Sequence, residues 1–598
     1  MNVTELIRKH ALKNAFDYGK ANPGSVVGKV IAEFPDAKKD MKSIMQSISK
    51  VVSEVNKLKK EEIEQELKNY SFIEKPKEEK KGFEIPNAEH GKVITRFPPE
   101  PSGYPHIGHA KAAFLDYEIA KQYGGKLVLR FDDTNPEKES LEYVDAIKEG
   151  LKWLGISWDK ESYTSDHMSE LYFAAEKLIS VGKAYVCTCS QEEISKQREQ
   201  MKPCTCRELN SKENLIRWKD MLAGKYEEGT VILRFKGDLS ALNTVMRDPS
   251  LARIINHPHY KQKKKYIVWP SYDLAVVVMD ALEGITHPMR SKEYELRDEL
   301  YAALFDVLGY KRATMIGFSR LQIKHAPISK RLLTPLVKEK KVLGWDDPRL
   351  PTLKGLARRG ILPQAIKSFV LSFGLSKVES EPTLEALLVE NKKLLDPISK
   401  HYFFVPDPVK IKVKNAPKKT VILKTHPKDQ SDRRSVTSCQ ERRIVPEHDR
   451  ERVPFSTPQM QFVDGSLGVR EVEVGEEVLI PKNDFDSLKE GEIFRLKDLY
   501  NIKLLNKKKK ECEFIGDGMV EKKVQWVTEQ SLDCEILVPK DLVDSEGKFN
   551  PNSLEIVKGL CESSCNKLEE GEVVQFERFG FCRLDKRDKN KLIFVYSC

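Results

Sequence analysis

The sequence predicts a multidomain chain, α/β in its middle and all-β towards its end, on three observations. Between Val93 and Phe131 the chain reads as strand, glycine-containing turn, helix and strand, the order of a βαβ unit. Before about residue 72, apolar residues recur at helical spacing. Beyond about residue 400, short alternating runs are separated by Gly, Pro, Asn and Asp, the pattern of antiparallel strands. At 598 residues the chain exceeds what one hydrophobic core supports, and one domain per roughly 150 residues gives about four.

The elements follow in order. In IMQSISKVVSEVNKL, Ile44, Ile48, Val51, Val52 and Val55 share one helical face, and EKPKEEKK, Glu74–Lys81, is a charged linker, so residues 1–80 form a helical appendage with its linker. VITRF, Val93–Phe97, has the β-branched pattern of a buried strand; AKAAFLDYEIAKQYGG, Ala110–Gly125, is a helix closed by two glycines, and KLVLRF, Lys126–Phe131, is the next strand. Such a unit binds ligands at the carboxyl ends of its strands and phosphate at its helix N-terminus. RFPPEPSGYPHIGHAKA, Arg96–Ala112, occupies that position. Gly103 and Gly108 allow close backbone approach there, and the imidazoles of His106 and His109 can donate hydrogen bonds to phosphate oxygens. VKIKVKN, EVEVGEEVLIP, CEILVP and EVVQFERFGFCRLD are the alternating runs that predict antiparallel β-barrels at the end of the chain.

Composition narrows the function class. A charged content of 32%, a hydrophobic content of 40% and a formal net charge of +10 describe a chain with packed cores and a surface suited to a polyanion. No apolar run is long enough to span a bilayer. MNVTELIRKHALKNAF lacks the apolar core of a secretory signal, and the early acidic residues Glu5 and Asp17 do not suit an organellar transit peptide, so a cytoplasmic location is expected. The odd number of cysteines, eleven, does not suggest a disulfide framework. Cys187, Cys189, Cys204 and Cys206 form two C-x-C pairs with fourteen residues between them. Four thiolates so arranged can hold a structural Zn²⁺, although C-x-C is tighter than the commoner C-x₂-C, and four reduced, unliganded thiols are the alternative.

His106 to His109, read with their flanks, resemble the HIGH signature of class I aminoacyl-tRNA synthetases. ISKR, Ile328–Arg331 in FSRLQIKHAPISKRLL, resembles their KMSKS loop, with Ile in place of Met and Arg in place of the last Ser. Together with LRFDDTNP (Leu129–Pro136), WPSYDLA (Trp269–Ala275) and DALEGITHPMRSKEYELRDELY (Asp280–Tyr301), these motifs are similar to the glutamyl/glutaminyl synthetases of archaeal and eukaryotic type, from about residue 88 to residue 400. The resemblance implies a Rossmann-type catalytic domain in which His106, His109 and Lys330 are catalytic. ATP, with Mg²⁺ as activator, would be held by Glu100, Pro101, Ser102, His106, Gly108, His109, Arg320, Leu321, Ile328, Ser329, Lys330 and Arg331. The Lys330 ammonium would stabilise charge building on the α-phosphorus as pyrophosphate leaves.

The resemblance leaves two candidate amino acids, which differ in charge. Glutamate needs a cation for its side-chain carboxylate, preferably a guanidinium, whereas glutamine carries a neutral amide. Arg290 stands where the glutaminyl branch typically has an uncharged residue, and Ser102 follows Pro101 where that branch typically has Asn. Both point to L-glutamate, with Arg96 resembling the arginine that meets the substrate, Asp132 receiving the α-ammonium group and Tyr272 closing the pocket. The expected activity is a glutamate–tRNA ligase that forms glutamyl-adenylate and transfers glutamate to the 3′-terminal ribose of tRNA(Glu), with tRNA bound before activation. A glutaminyl-tRNA synthetase and a catalytically inactive tRNA-binding paralogue are the alternatives; Arg290 argues against the first, and the intact histidine and lysine set against the second.

The same resemblance lays functions along the chain. Residues 88–186 and 266–335 make the two halves of the catalytic domain, and 187–265 the insertion that holds the tRNA acceptor end, with KQKKK, Lys261–Lys265, as a phosphate contact or a solvated loop. Residues 336–398, including the helical pattern of WDDPRLPTLKGLARRGILPQAI, form a stem-contact region. Residues 399–598 form a two-barrel anticodon-binding region, in which SDRRSVTSCQERR, Ser431–Arg443, reads as an insertion and LNKKKKE, Leu505–Glu511, as a hairpin tip. The N-terminal helical region resembles appendages that dock to another synthetase or a scaffold protein, with tRNA affinity as the alternative role.

Overall fold

The computed structural model describes residues 3–18, 21–34, 41–58, 60–67, 69–70, 82–426, 468–589 and 591–598. The EKPKEEKK linker and the SDRRSVTSCQERR segment lie outside the described residues. The chain divides into two units, Met1–Gly82 and Phe83–Cys598.

The first unit holds helices α1 (Val3–Tyr18), α2 (Pro23–Glu33), α3 (Met41–Val55) and α4 (Lys60–Leu67). Asn22 caps α2 by accepting from the Gly24 N–H, and Pro23 supplies a preset first turn. The apolar stripe of α3 is its packed face: Ile48, Val51, Val52 and Val55 are buried against Leu6, Ile7, Ala11 and Val26. Arg8 clasps Glu66 through two hydrogen bonds of 2.9 and 2.8 Å, tying α1 to α4.

In the second unit, β1 (Ile94–Phe97), β2 (Lys126–Phe131) and β3 (Lys160–Tyr163) form a parallel sheet in that order. Helix α5 (Ile107–Gln122) connects β1 to β2, and α6 (Leu141–Trp153) connects β2 to β3. Gly125 is required at the entry to β2, because a Cβ there would lie 2.0 Å from the Val93 carbonyl oxygen. After α7 (Met168–Ser180), an antiparallel sheet of β4 (Ala184–Cys187), β5 (Ile232–Phe235), β6 (Ser250–Ile254) and β7 (Val268–Pro270) interrupts the parallel layer, carrying α8 (Gln191–Gln200) and α9 (Ser211–Leu222). The layer resumes with α10 (Tyr272–Leu282), β8 (Met289–Ser291), α11 (Asp298–Leu308) and β9 (Ile316–Phe318), β8 and β9 being parallel. The backbone N–H groups of Thr286 and His287 both donate to the Ile94 carbonyl, at 3.0 and 3.2 Å. They seat the β8–β9 pair on the free edge of β1, so two halves far apart in sequence share one set of strand ends.

Helices α12 (Lys330–Lys338), α13 (Leu353–Arg358), α14 (Pro363–Leu371) and α15 (Leu384–Leu395) follow. The helical expectation from Trp345 onward is corrected at its start: residues 345–352 are turns, and Pro348 and Pro351 supply the reason, since proline lacks the N–H that a helix interior needs. Two large sheets complete the chain. One has six strands, including Pro408–Lys414, Glu477–Pro481 and Glu511–Gly516, around Ile480, Phe494, Tyr500 and Trp526. The other has seven, including Leu532–Pro539, Leu554–Cys561 and Lys591–Tyr596, around Phe404, Ile536, Phe576 and Phe594.

The pairings in these sheets are mostly antiparallel, as expected, with a few parallel pairs among them. Pro408–Lys414 runs parallel to Glu511–Gly516, and Leu532–Pro539 parallel to Lys591–Tyr596. Each parallel pair joins strands distant in sequence, where no tight hairpin dictates direction. Lys507–Lys510 do form the tip of an antiparallel hairpin. The last sheet also reaches back to the middle of the chain: Leu542 packs among Leu333, Leu336, Val342 and Leu350, so α12 is braced from behind. Arg358 adds a two-pronged contact to Asp585 at 2.9 and 2.7 Å.

Candidate active site

The sequence HIGH folds into a cap. His106 is the N-cap of α5, and its Nδ1 accepts from the Gly108 N–H at 3.1 Å, while Nδ1 of His109 accepts from the His106 N–H at 3.2 Å. Two orphan helix donors are thereby satisfied by imidazoles. The electronic consequence matters more. With both Nδ1 atoms accepting, each neutral ring carries its proton on Nε2 and offers it as a donor. The rings lie 4.0 Å apart. Burial pushes the His109 pKa down to about 4; burial, His109 and the nearby Arg320 guanidinium lower that of His106. Both rings are therefore neutral donors at neutral pH. Gly108 is fixed by the same geometry, since a Cβ there would meet His106 Cε1 at 2.9 Å.

The downstream motif comes to this helix end. The Ile328 side chain lies 3.4 Å from the point where a Gly108 Cβ would stand, and the Lys330 methylenes 3.4 Å from the corresponding point at Gly103. Ser329 is the N-cap of α12 and Lys330 its first residue. The Lys330 ammonium donates to the Ser102 carbonyl and lies 5.0 Å from the centre of the Tyr143 ring. It opens on a cleft of about 670 Å³ whose walls include Glu100, Ser102, Lys138 and Arg331. Arg320 is exposed and 3.4 Å from Glu293, Leu321 is buried, and Pro101 is buried with its carbonyl accepting from the Ser140 N–H at 3.1 Å. The predicted ATP set thus converges on one face, the carboxyl end of β1.

Beside it lies a pocket built from buried charge. Arg96, the third residue of β1, is fully buried; its Nε donates to Asp280 at 3.2 Å and its Nη1 to the Met289 carbonyl at 2.7 Å. Arg130, buried in β2, donates to Asp280, Glu283 and Asp132 at 2.8, 2.9 and 3.1 Å. Burial opposes the Asp280 carboxylate, yet Arg96, Arg130 and Arg290 hold its pKa below the usual value. Asp132 also accepts from Thr164 Oγ1 at 2.9 Å. Tyr272 stacks at 5.0 Å on Tyr294, and burial pushes its pKa up to about 12.

Arg290 is the anomaly. It is 5% exposed, and all three guanidinium nitrogens are buried with no hydrogen-bond partner among the described residues. It lies 4.3 Å from the Tyr301 ring centre and 5.6 Å from that of Tyr272, and its nearest carboxylate, Asp298, is 3.5 Å away without a hydrogen bond. A buried guanidinium is costly unless a charged, hydrogen-bonding partner meets it. A carboxylate is the partner that this guanidinium's chemistry calls for.

Arg130, Asp280, Glu283 and Tyr301 organise this pocket and were missed in the sequence reading. One signal was present: an arginine inside the apolar strand KLVLRF is expected to be paired when buried. Their partners, 150 residues away for Arg130 and Asp280, were not visible.

The four predicted cysteines also meet. Their Sγ atoms all lie within 4.8 Å of one another, with 3.9 Å between Cys187 and Cys204. A zinc ion with bonds of about 2.3 Å would separate tetrahedral sulfurs by about 3.8 Å, so the residues fit. Arg234 and Arg217 place guanidinium nitrogens 3.8 Å from Cys187 and Cys206, which suits thiolates.

Comparison with known proteins gives the family. Residues 92–397 match the catalytic domain of the class I tRNA synthetases for E and Q, and residues 463–516 and 523–585 match two anticodon-binding domains of the same family. A glutamate–tRNA ligase of Nitrosopumilus maritimus is 42% identical over 602 residues, covering 99% of each chain. One from Pyrococcus furiosus is 38% identical with all of both chains covered, and one from Cenarchaeum symbiosum 36% identical with 99% of each covered. Among solved structures, a glutamate tRNA ligase of Elizabethkingia meningosepticum in complex with its amino acid aligns with 52% of this chain and 70% of that chain, at 19% identity and a TM-score of 0.38. With its histidine cap, its buried arginine pocket and these matches along its length, the chain belongs to the class I tRNA synthetases of the glutamate and glutamine family.

Proposed function

We infer that the protein is a glutamate–tRNA ligase, activating L-glutamate with ATP and transferring it to the 3′-terminal ribose of tRNA(Glu). The observation that carries the choice of amino acid is Arg290, a buried guanidinium whose three nitrogens have no hydrogen-bond partner among the described residues. A γ-carboxylate supplies charged acceptors for nitrogens that Asp298, 3.5 Å away, leaves without a hydrogen bond; a glutamine amide supplies a single uncharged acceptor.

The substrate's α-carboxylate attacks the α-phosphorus, and the bond to the bridging oxygen of pyrophosphate breaks. Nε2–H of His106 and of His109 donates to phosphate oxygens, a role their bare Nδ1 atoms prescribe. The Lys330 ammonium, at the cleft edge, offsets charge on the departing pyrophosphate. Mg²⁺ bound with ATP would supply further neutralisation of the phosphates. Asp132 receives the α-ammonium group, and Arg96, held by Asp280, faces the substrate from the strand end. The ribose hydroxyl of tRNA then attacks the adenylate carbonyl, forming the ester as the acyl–phosphate bond breaks, and AMP leaves with the hydroxyl proton taken up by its phosphate or by solvent. The sheet Ala184–Pro270 is assigned to the acceptor end and the two terminal sheets to the anticodon. No helix among the described residues is long and apolar enough to cross a membrane, and a cytoplasmic location agrees with this activity.

ATP–pyrophosphate exchange tests the assignment. Exchange is expected with glutamate in the presence of the tRNA pool and not with glutamine. Glutamine-dependent exchange would overturn the amino-acid choice, and no exchange with either would overturn the activity. The zinc assignment to Cys187, Cys189, Cys204 and Cys206 is tested by elemental analysis: one zinc per chain is expected, lost in Cys204→Ser. A metal-free purified protein with four reactive thiols at these positions would refute it.

A further inference from the structure

Lys111 is a buried lysine that the mechanism above does not use. It sits on α5 two residues after His109, is 1% exposed, and forms no ion pair among the described residues. Its Nζ donates to the Ser319 carbonyl at 2.6 Å and to Ser319 Oγ at 3.0 Å, and lies 5.7 and 5.5 Å from the ring centres of Phe318 and Phe373. Lysine is almost never fully buried without a charged partner, because desolvating the ammonium costs more than neutral acceptors and ring faces return. A methionine would fill the same space between two phenylalanines at lower cost. A position that retains an unfavourable charge in the core calls for a reason other than stability.

The reason lies in what Ser319 precedes. It is the residue after β9, held on its other side by its own N–H donating to the Ser376 carbonyl at 2.8 Å. Arg320 and Leu321 come next, and Arg320 is close enough to His106 to lower the pKa of that imidazole. The chain then runs to Ile328, Ser329 and Lys330 without another α-helix or strand. We propose that Lys111 is a positioning residue for the ATP site, its ammonium pinning the start of the Ser319–Lys330 segment to the helix that carries both histidines. The proposal rests on the ATP-site reading given above. The pin fixes the distance between the two halves of that site: one end is part of the histidine helix, and the other is the backbone from which Arg320 and, further on, Lys330 depart.

Burial pushes the Lys111 pKa down to about 8. No charged or titratable group of α5, of the Phe318–Ser319 segment or of the segment carrying Phe373 pairs with it among the described residues, so burial alone sets the shift. The sign of the linkage follows. The folded chain holds this proton less tightly than the unfolded chain, so the charge costs stability at pH 7, and the cost is relieved as pH rises through about 8.

The test is Lys111→Met in ATP–pyrophosphate exchange, with thermal unfolding measured in parallel. Relative to wild type, KM for ATP is expected to rise on the order of fivefold at pH 7 with KM for glutamate unchanged, while the unfolding midpoint holds or rises. In wild type, KM for ATP should climb above about pH 8 as the ammonium loses its proton, and in Lys111→Met that climb should be absent. An unchanged KM for ATP, or a lowered midpoint with equal loss on both substrates, would overturn the proposal in favour of a packing role. If wild type shows no glutamate-dependent exchange, the activity assignment fails instead. Calorimetric titration of ATP into both proteins then decides the pin by itself: weaker ATP binding by Lys111→Met upholds it and equal binding removes it.

Discussion

Lys330→Ala is expected to lower glutamate-dependent ATP–pyrophosphate exchange by about two to three orders of magnitude, equivalent to about 3–4 kcal/mol of transition-state stabilisation. The ammonium is the first residue of α12, beside Ser102 and at the mouth of the cleft, and burial, partly opposed by Glu100, lowers its pKa from the usual value. A group so placed meets charge that grows as the bond to pyrophosphate breaks, so its loss should fall on kcat more than on KM for ATP. Affinity for tRNA, measured by filter binding, should stay within about twofold, because one cation among many phosphate contacts contributes a small share. An active variant would remove Lys330 from the chemistry. Comparable loss of exchange and of tRNA binding would assign it to tRNA docking.

Arg290→Gln should cut kcat/KM for glutamate by about a hundredfold or more, since a charge-assisted, two-pronged contact is worth about 3 kcal/mol or more when one partner is removed. The unfolding midpoint should hold or rise, because the substitution removes a buried cation that has no hydrogen-bond partner among the described residues. The preference for glutamate over glutamine should narrow by at least about tenfold, since a neutral amide no longer leaves guanidinium nitrogens without a charged acceptor. Steady-state exchange with each amino acid, beside a thermal melt, reads all three. A variant that keeps wild-type glutamate kinetics would show that another cation receives the γ-carboxylate. A collapsed melt would show instead that Arg290 supports the core.

Features whose parts are close together in the chain are legible in the sequence, and those assembled from distant segments are not. Two imidazoles at a helix start were legible because they lie within four residues, whereas the cap they form, and with it their tautomers, came from the structure. The amphipathic stripe of α3 was legible for the same reason, its period matching the face it buries. After Trp345 the helical pattern is realised only from Leu353, because Pro348 and Pro351 lack the donors that a helix interior needs. The terminal strands were legible from their alternation, but alternation does not name a strand's neighbour, so the parallel pairs among them were visible only in the fold. The cysteine cluster lies between these cases. Two C-x-C pairs suggested a metal, but only the turn that returns Cys204 to Cys187 shows that the four sulfurs can share one.

By itself the sequence determined the chemistry of the chain: two imidazoles at a helix start, a lysine after a serine, and an arginine where a glutamine site would stay neutral. Such groups act through their own functional atoms, and their order along the chain was enough to identify the family. Only the tertiary structure decided how the pocket is held. Asp280 joins Arg96 and Arg130 from 184 and 150 residues away, Ser319 receives Lys111 across 208, and Leu542 backs the helix of Lys330. The physical reason is that a buried charge is read through its partners: whether an arginine is spent on structure or kept for a substrate depends on which acceptors the fold brings within about 3 Å of it.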